Sequence, residues 1–239
     1  MNDLKPLLAL LNTTFNDEKL LHQALVHRSS LNEYKNNFKF SNERLEFLGD
    51  AVLELWTSQV LYQKFPDFDE GQMTNLRSLI VRTENLASIA LSLKIGDYIY
   101  LSKGEGGHGG RLNISILADT LEAIIGAIYI DKGQSAANIF LDQIFKNSID
   151  ELSNKNQYKD PKSIFQELAQ AKQGITPNYK VISEDGPDHN KKFISGAYIG
   201  NKLIAEGQGN SKQKAEEQAA INATQELNKP TITKSTSSK

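Results

Sequence analysis

From Leu4 to about Glu151, apolar residues recur three and four positions apart, with few alternating β-branched runs. That spacing predicts amphipathic helices sharing one core. The strongest segments, 42–65, 83–93, 115–131 and 136–152, predict helices of three to six turns. Pro66, Gly96, the glycine cluster at 104–110 and Gly133 fall between them as breakers. Residues 1–152 therefore read as an all-α domain. The polar stretch 153–159 predicts a linker. Asp160-Pro161 then supplies a helix N-cap and a first-turn proline.

Beyond that point the period changes. Residues 161–172 keep the helical pattern, whereas 179–184, 192–199 and 202–206 alternate and are bounded by Gly, Pro or Asn. Gly200-Asn201 predicts a hairpin turn, and Ser211 is placed to cap an alanine-rich helix running to about Leu227. The order α-β-β-β-α over 160–227 predicts a small α+β domain with both helices on one sheet face. Residues 228–239, rich in Ser, Thr and Lys, predict a disordered tail.

Composition narrows the chemistry. The chain has no cysteine, so disulfides and thiolate metal sites are excluded, and any metal must be held by oxygen ligands or the four histidines. No apolar stretch approaches the length of a membrane span, and the expectation is a cytoplasmic protein. The formal net charge is −2. Residues 1–152 carry 14 Lys+Arg against 20 Asp+Glu, and residues 160–227 carry 8 against 9. A polyanion would thus be held by local patterning and not by a global field.

The informative acids lie on two predicted helices. In NERLEFLGD (42–50), Glu43, Glu46 and Asp50 fall within roughly 60° of one another on one helix face. Glu46 and Asp50, about 6 Å apart along the axis, can reach one hard cation. In SILADTLEAIIGAIYID (115–131), Asp119 and Glu122 interrupt an otherwise apolar segment. A lone acid at helical spacing is ordinarily a solvated face. Several acids on two core-forming helices repel one another unless protons or a divalent cation neutralise them. Gly49 and Gly126 sit beside the two clusters despite a cost of about 1 kcal/mol for a helix-interior glycine. They are expected to let the helices approach closely. An all-oxygen site suits Mg²⁺ or Mn²⁺.

NERLEFLGD resembles the signature of the ribonuclease III family. ALVHRSS (24–30), DEGQMTNLRSLIVR (69–82) and SILADTLEAIIGAIYID (115–131) resemble its companion motifs in order. The resemblance implies an Mg²⁺-dependent endonuclease of double-stranded RNA, leaving 5′-phosphate and 3′-hydroxyl ends, with roles in rRNA-precursor and mRNA processing. It implies metal binding by Glu46, Asp50, Asp119 and Glu122, with Asp50 and Glu122 as the principal catalytic acids. Glu43 and Glu70 match two further acids of the cleavage valley. The resemblance also implies a homodimer, with Phe47 packing into the partner subunit, although Phe47 reads equally as a core residue. His27 is expected to be a structural hydrogen-bonding residue. Lys103 and Arg111, flanking the glycine-rich stretch, are candidate phosphate contacts on a flexible connection.

Residues 160–227 resemble a double-stranded RNA-binding domain. Such a domain reads A-form shape through two minor grooves and the phosphates between them, over about 16 base pairs. The resemblance assigns Gln166 and Glu167 to one minor groove and His189 to the next. Lys191 and Lys192 are assigned to RNA binding, and Ser211, Lys212 and Lys214, at a helix N-terminus, to phosphate. Gln213 departs from the family's consecutive basic pair, which predicts weaker, less salt-dependent binding. Two alternatives stand beside this reading: a catalytically inactive double-stranded RNA-binding protein, and an all-α metal-dependent nucleotide phosphohydrolase.

Overall fold

The computed structural model describes residues 3–33, 38–154, 160–187 and 191–229. It separates into two compact units, Met1–Tyr158 and Lys159–Lys239.

The first unit is helical: α1 (Lys5–Leu11), α2 (Glu18–Ala24), α3 (Glu43–Lys64), α4 (Glu70–Val81), α5 (Thr83–Ser92), α6 (Lys103–Gly107) and α7 (Ile114–Asn154). The most extensive packing joins α3 to α7. Leu53 of α3 and Leu121, Ile125 and Phe145 of α7 are all buried in the core of this unit. Two glycines set how closely the two helices cross. A Cβ on Gly49 would lie 1.8 Å from the Glu122 carbonyl oxygen, and one on Gly126 would lie 2.2 Å from the Leu45 carbonyl oxygen. No side chain fits there, so the expected close approach is what the backbones adopt.

As expected, α7 consists of two helical segments, corresponding to the stretches at 115–131 and 136–152, that meet at Gly133, whose backbone is non-helical (φ 77°, ψ −177°). Just before this break, the Asp131 carboxylate accepts from the backbone N–H groups of Asn16 (2.7 Å) and Asp17 (2.9 Å), tying down the start of α2. Thr57 and Thr120, both buried, satisfy their hydroxyls by donating to carbonyls one turn back, Leu53 O (2.8 Å) and Ile116 O (2.6 Å).

The glycine-rich stretch is not the flexible connection expected. Ser102 caps α6 by accepting from Glu105 N–H (3.2 Å), and a 3₁₀ turn follows at Gly110–Leu112. The Arg111 guanidinium donates to the carbonyls of Gly96 (2.7 Å) and Ile99 (3.2 Å). It fastens this turn to the fold.

The second unit has the order α8 (Pro161–Gln173), β1 (Asn178–Asp185), β2 (Lys192–Ile199), β3 (Lys202–Gly209) and α9 (Lys212–Asn228). The sheet is antiparallel in the order β1-β2-β3, with irregularities between Val181 and Ser183 and between Ala197 and Tyr198. Asp160 accepts from Ser163 N–H (3.3 Å) and Ser211 from Lys214 N–H (3.2 Å), so both predicted N-caps form. The strand expected at 202–206 extends to Gly209. The core is small: Phe165 and Ala169 of α8, Ala197 and Ile199 of β2, and Ala219, Ala220 and Ala223 of α9. These short side chains let α9 lie close against the sheet.

Candidate functional site

The acids of α3 and α7 converge where Gly49 and Gly126 let the two backbones meet. Glu46, Asp119 and Glu122 each offer a carboxylate oxygen, and these oxygens all lie within 4.8 Å of one another. Burial raises the proton affinity of all three, and repulsion from neighbouring acids adds to it at Glu46 and Glu122. Glu122 is pushed up to about 8, first by burial and then by the charges of Asp50, Asp119 and Glu46. Glu46 is raised by burial, then by Asp119, Glu43 and Asp50. Asp119 is raised by burial, with His27 and Arg28 opposing.

Among the described residues, none of these acids is paired with a lysine or arginine. A clustered, half-buried set of carboxylate oxygens with no lysine or arginine paired to it fits a hard divalent ion, which would take the place of the Glu122 proton. Asp50 is exposed on the next turn of α3. Its charge acts on Glu122, but its carboxylate stands outside the three that meet.

A cavity of about 740 Å³ adjoins this cluster, lined by His27, Arg28, Glu43, Glu46, Glu105 and Asp119 among others. Glu43 accepts from Ser41 Oγ (2.7 Å) and lies 3.6 Å from the Arg28 guanidinium in an exposed pair. Glu70, at the exposed start of α4, is elsewhere. It lines a separate depression of about 290 Å³ with Ser58, Tyr62 and Arg77. One chain therefore brings Glu43, but not Glu70, to the other acids.

Two cavity residues were not read as functional from the sequence. His27 is pushed below its ordinary range by burial, against the Glu105 charge, and its ring faces Ser29. Glu105 lies in the glycine-rich stretch, where only the spacing Ser102-x-x-Glu105 signalled a helix start.

Phe47 is 81% exposed, which removes the core-residue reading. Beside it is a depression of about 570 Å³ lined by Leu20, Leu45, Leu48 and Ile130.

In the second unit, Gln166 and Glu167 lie exposed on α8, and Lys192, Lys212 and Lys214 are exposed around the start of α9 and β2. The Phe193 ring, missed in the sequence, carries Lys191 Nζ at 6.0 Å and Lys212 Nζ at 5.9 Å from its centroid. It gathers two cations from separate elements. Gln213 donates to Glu217 Oε1 (2.9 Å) along α9. His189 lies outside the described residues.

Comparison with known proteins agrees with this geometry. Residues 17–148 match the family model "Ribonuclease-III-like", and residues 161–227 match "Double-stranded RNA binding motif". Ribonuclease 3 from Dehalococcoides mccartyi is 43% identical over 227 residues, spanning 95% of this chain and 96% of its own length. Ribonuclease 3 from Geobacillus thermodenitrificans is 45% identical over 214 residues, covering 90% and 87%. Among solved structures, the nuclease domain of ribonuclease III from Campylobacter jejuni superimposes with a TM-score of 0.56 at 42% identity. That match covers 62% of this chain and 97% of the domain. A second structure of that domain, which concerns flexibility in a region involved in dimer formation, gives 0.57 at 39% identity, covering 61% and 97%.

Proposed function

The chain belongs to the ribonuclease III family and is an endoribonuclease of double-stranded RNA; from that premise we propose that Glu46, Asp50, Asp119 and Glu122 form its metal-dependent cleavage site, with Mg²⁺ as the native ion. One observation carries the assignment: three carboxylates from two helices meet within 4.8 Å, one of them holding its proton up to about pH 8. When bound, a divalent ion there lowers the pKa of a water and offsets charge at the phosphate.

The protein's own part is positional. Glu46, Asp119 and Glu122 are fixed by the α3–α7 crossing before substrate arrives, so little reorganisation is needed at the moment of reaction. Asp50, exposed and one turn along, completes the ligand set from the solvent side. Hydrolysis adds the water oxygen to phosphorus and breaks the bond to the 3′ oxygen. The cut strand is left with a 5′-phosphate and a 3′-hydroxyl.

Substrate is held by the second unit. Gln166, Glu167 and His189 contact the minor grooves, while Lys191, Lys192, Ser211, Lys212 and Lys214 contact phosphate. Phe47 anchors a homodimer. Glu43 lines the valley in its own subunit. Processing of rRNA precursors and mRNA is the family-typical role, and the cytoplasm is the compartment it implies. Among the described residues, no helix is long and apolar enough to cross a membrane.

The test is cleavage of a long perfect duplex with and without Mg²⁺, with end-group analysis of the products. Glu122→Ala should reduce cutting by at least about a hundredfold while duplex affinity stays within about twofold. Binding without Mg²⁺-dependent cutting by the wild type would identify an inactive binding protein. Hydrolysis of free nucleotides in place of duplex would identify a phosphohydrolase.

A further inference from the structure

The cavity beside the acids must admit a phosphodiester, although Glu43, Glu46, Glu105 and Asp119 all line it. An anion enters such a space only where donors meet it. Arg28 is engaged with Glu43 at 3.6 Å. His27 is fixed in another way.

Its Nδ1 accepts from the backbone N–H of Ser29 at 3.3 Å and lies 2.8 Å from Ser29 Oγ. A backbone N–H can only donate, so Nδ1 carries no proton. The ring is therefore the neutral tautomer with its hydrogen on Nε2. With Nδ1 an acceptor, the Ser29 hydroxyl donates to it, sharing the Nδ1 lone pair with Ser29 N–H, while Ser29 Oγ accepts from Ser102 N–H (3.1 Å). The backbone is held as well: His27 N–H donates to Tyr100 O (3.2 Å), while Ser30 N–H (3.0 Å) and Ser30 Oγ (2.7 Å) donate to His27 O. Among the described residues, no acceptor takes the Nε2 hydrogen.

We propose that His27 is a substrate-binding residue of the cleavage site, its Nε2–H donating to a non-bridging oxygen of an RNA phosphate held over the acids. The chemistry favours a neutral donor here. A lysine or arginine in this place would pair with Glu105 or Asp119 and compete with the divalent ion for the carboxylates. An imidazole N–H bonds the phosphate without either cost. Ser29 and Ser102, which fix the ring's tautomer, also join it to the helix that carries Glu105. The inference rests on the cleavage reading above.

Two substitutions separate the donor from the cap. In His27→Asn, the amide oxygen takes the place of Nδ1 and keeps the bond from Ser29 N–H, but no donor reaches the Nε2 position. In His27→Gln, the longer amide restores a neutral N–H at about that position. A charge-assisted hydrogen bond lost from the transition state corresponds to about ten- to a hundredfold in rate. His27→Asn should therefore lower kcat/KM on a short duplex by about ten- to a hundredfold, and His27→Gln should return to within about threefold of wild type. In a Glu122→Gln background, where duplex affinity can be read without cutting, adding His27→Asn should weaken binding and adding His27→Gln should not. The proposal is overturned if His27→Asn cuts and binds normally, or if His27→Gln is as impaired as His27→Asn. A wild-type protein that does not cut duplex RNA would instead overturn the cleavage reading.

Discussion

Glu122 couples the site to pH. Its carboxyl is pushed from an ordinary 4.5 up to about 8, chiefly by burial. A carboxyl whose proton affinity is raised by folding favours the folded state fully below its ordinary value. That contribution is lost as pH rises toward the folded value. Glu46 and Asp119 are raised too and act in the same direction. His22 and His27 are lowered by burial and act oppositely, since their contribution is lost as pH falls. Subtracting a Glu122→Gln variant isolates the carboxyl. The metal-free wild type should lose stability relative to Glu122→Gln between pH 5 and pH 8, by an amount on the order of a few kcal/mol. Mg²⁺ should restore most of it at pH 8 and less at pH 6, because the ion needs the deprotonated acids. Thermal melts in chelator and in Mg²⁺ at several pH values measure both effects. Parallel curves for the two proteins would show that Glu122 is not held protonated by the fold.

At the scale of helices, the crossing of α3 and α7 converts spacing in sequence into a site. A glycine-to-alanine change in an exposed helix ordinarily stabilises by about 1 kcal/mol. At Gly49 the new Cβ would meet the Glu122 carbonyl at 1.8 Å, backbone that cannot swing aside. Gly49→Ala should therefore destabilise by more than about 2 kcal/mol in urea unfolding and weaken Mg²⁺ binding, as the helices part and the carboxylates with them. An alanine variant as stable as wild type would mean that the crossing is looser than described. Periodicity made the helices, the strand order and both second-unit N-caps legible. The two-helix placement of the acids and the paired glycines were legible for the same reason: each has a local signature at helical spacing. What escaped depends on contacts distant in sequence. Nothing near Arg111 announces that its guanidinium will bind the carbonyls of Gly96 and Ile99. Likewise, the segment that carries Glu105 is held in place by contacts such as Ser102 N–H to Ser29 Oγ, 73 positions away. Phe193 reads as an ordinary strand residue until Lys212 is folded over it.

For the whole molecule, one surface to account for is an exposed apolar stripe on α3. Phe47 (81% exposed), Leu55 (50%) and Tyr62 (75%) fall within about 80° of one another around that helix. Large exposed apolar groups aligned on one helix mark an interaction surface. Phe47 projects beside a depression lined by Leu20, Leu45, Leu48 and Ile130. A protrusion and a recess with apolar side chains in its wall, on one patch, are what a two-fold interface needs, since each subunit can then supply both halves of the contact. Such an assembly also bears on Glu70. That acid lies apart from its own chain's cluster, so a role in the cleavage valley requires it to act on a site completed by the second subunit. Burying a phenylalanine side chain is worth about 1.5–3 kcal/mol, and a two-fold interface counts it twice. Phe47→Asp should therefore weaken dimerisation by at least a hundredfold, about 3 kcal/mol or more. Sedimentation equilibrium should show wild-type dimer and variant monomer at the same micromolar concentration. Duplex cleavage by the variant should fall with the dimer fraction and recover as protein concentration is raised. A wild-type monomer that cuts at full rate, or a Phe47→Asp protein that remains dimeric, would require another role for this stripe. The binding domain alone would then have to orient both strands of the duplex.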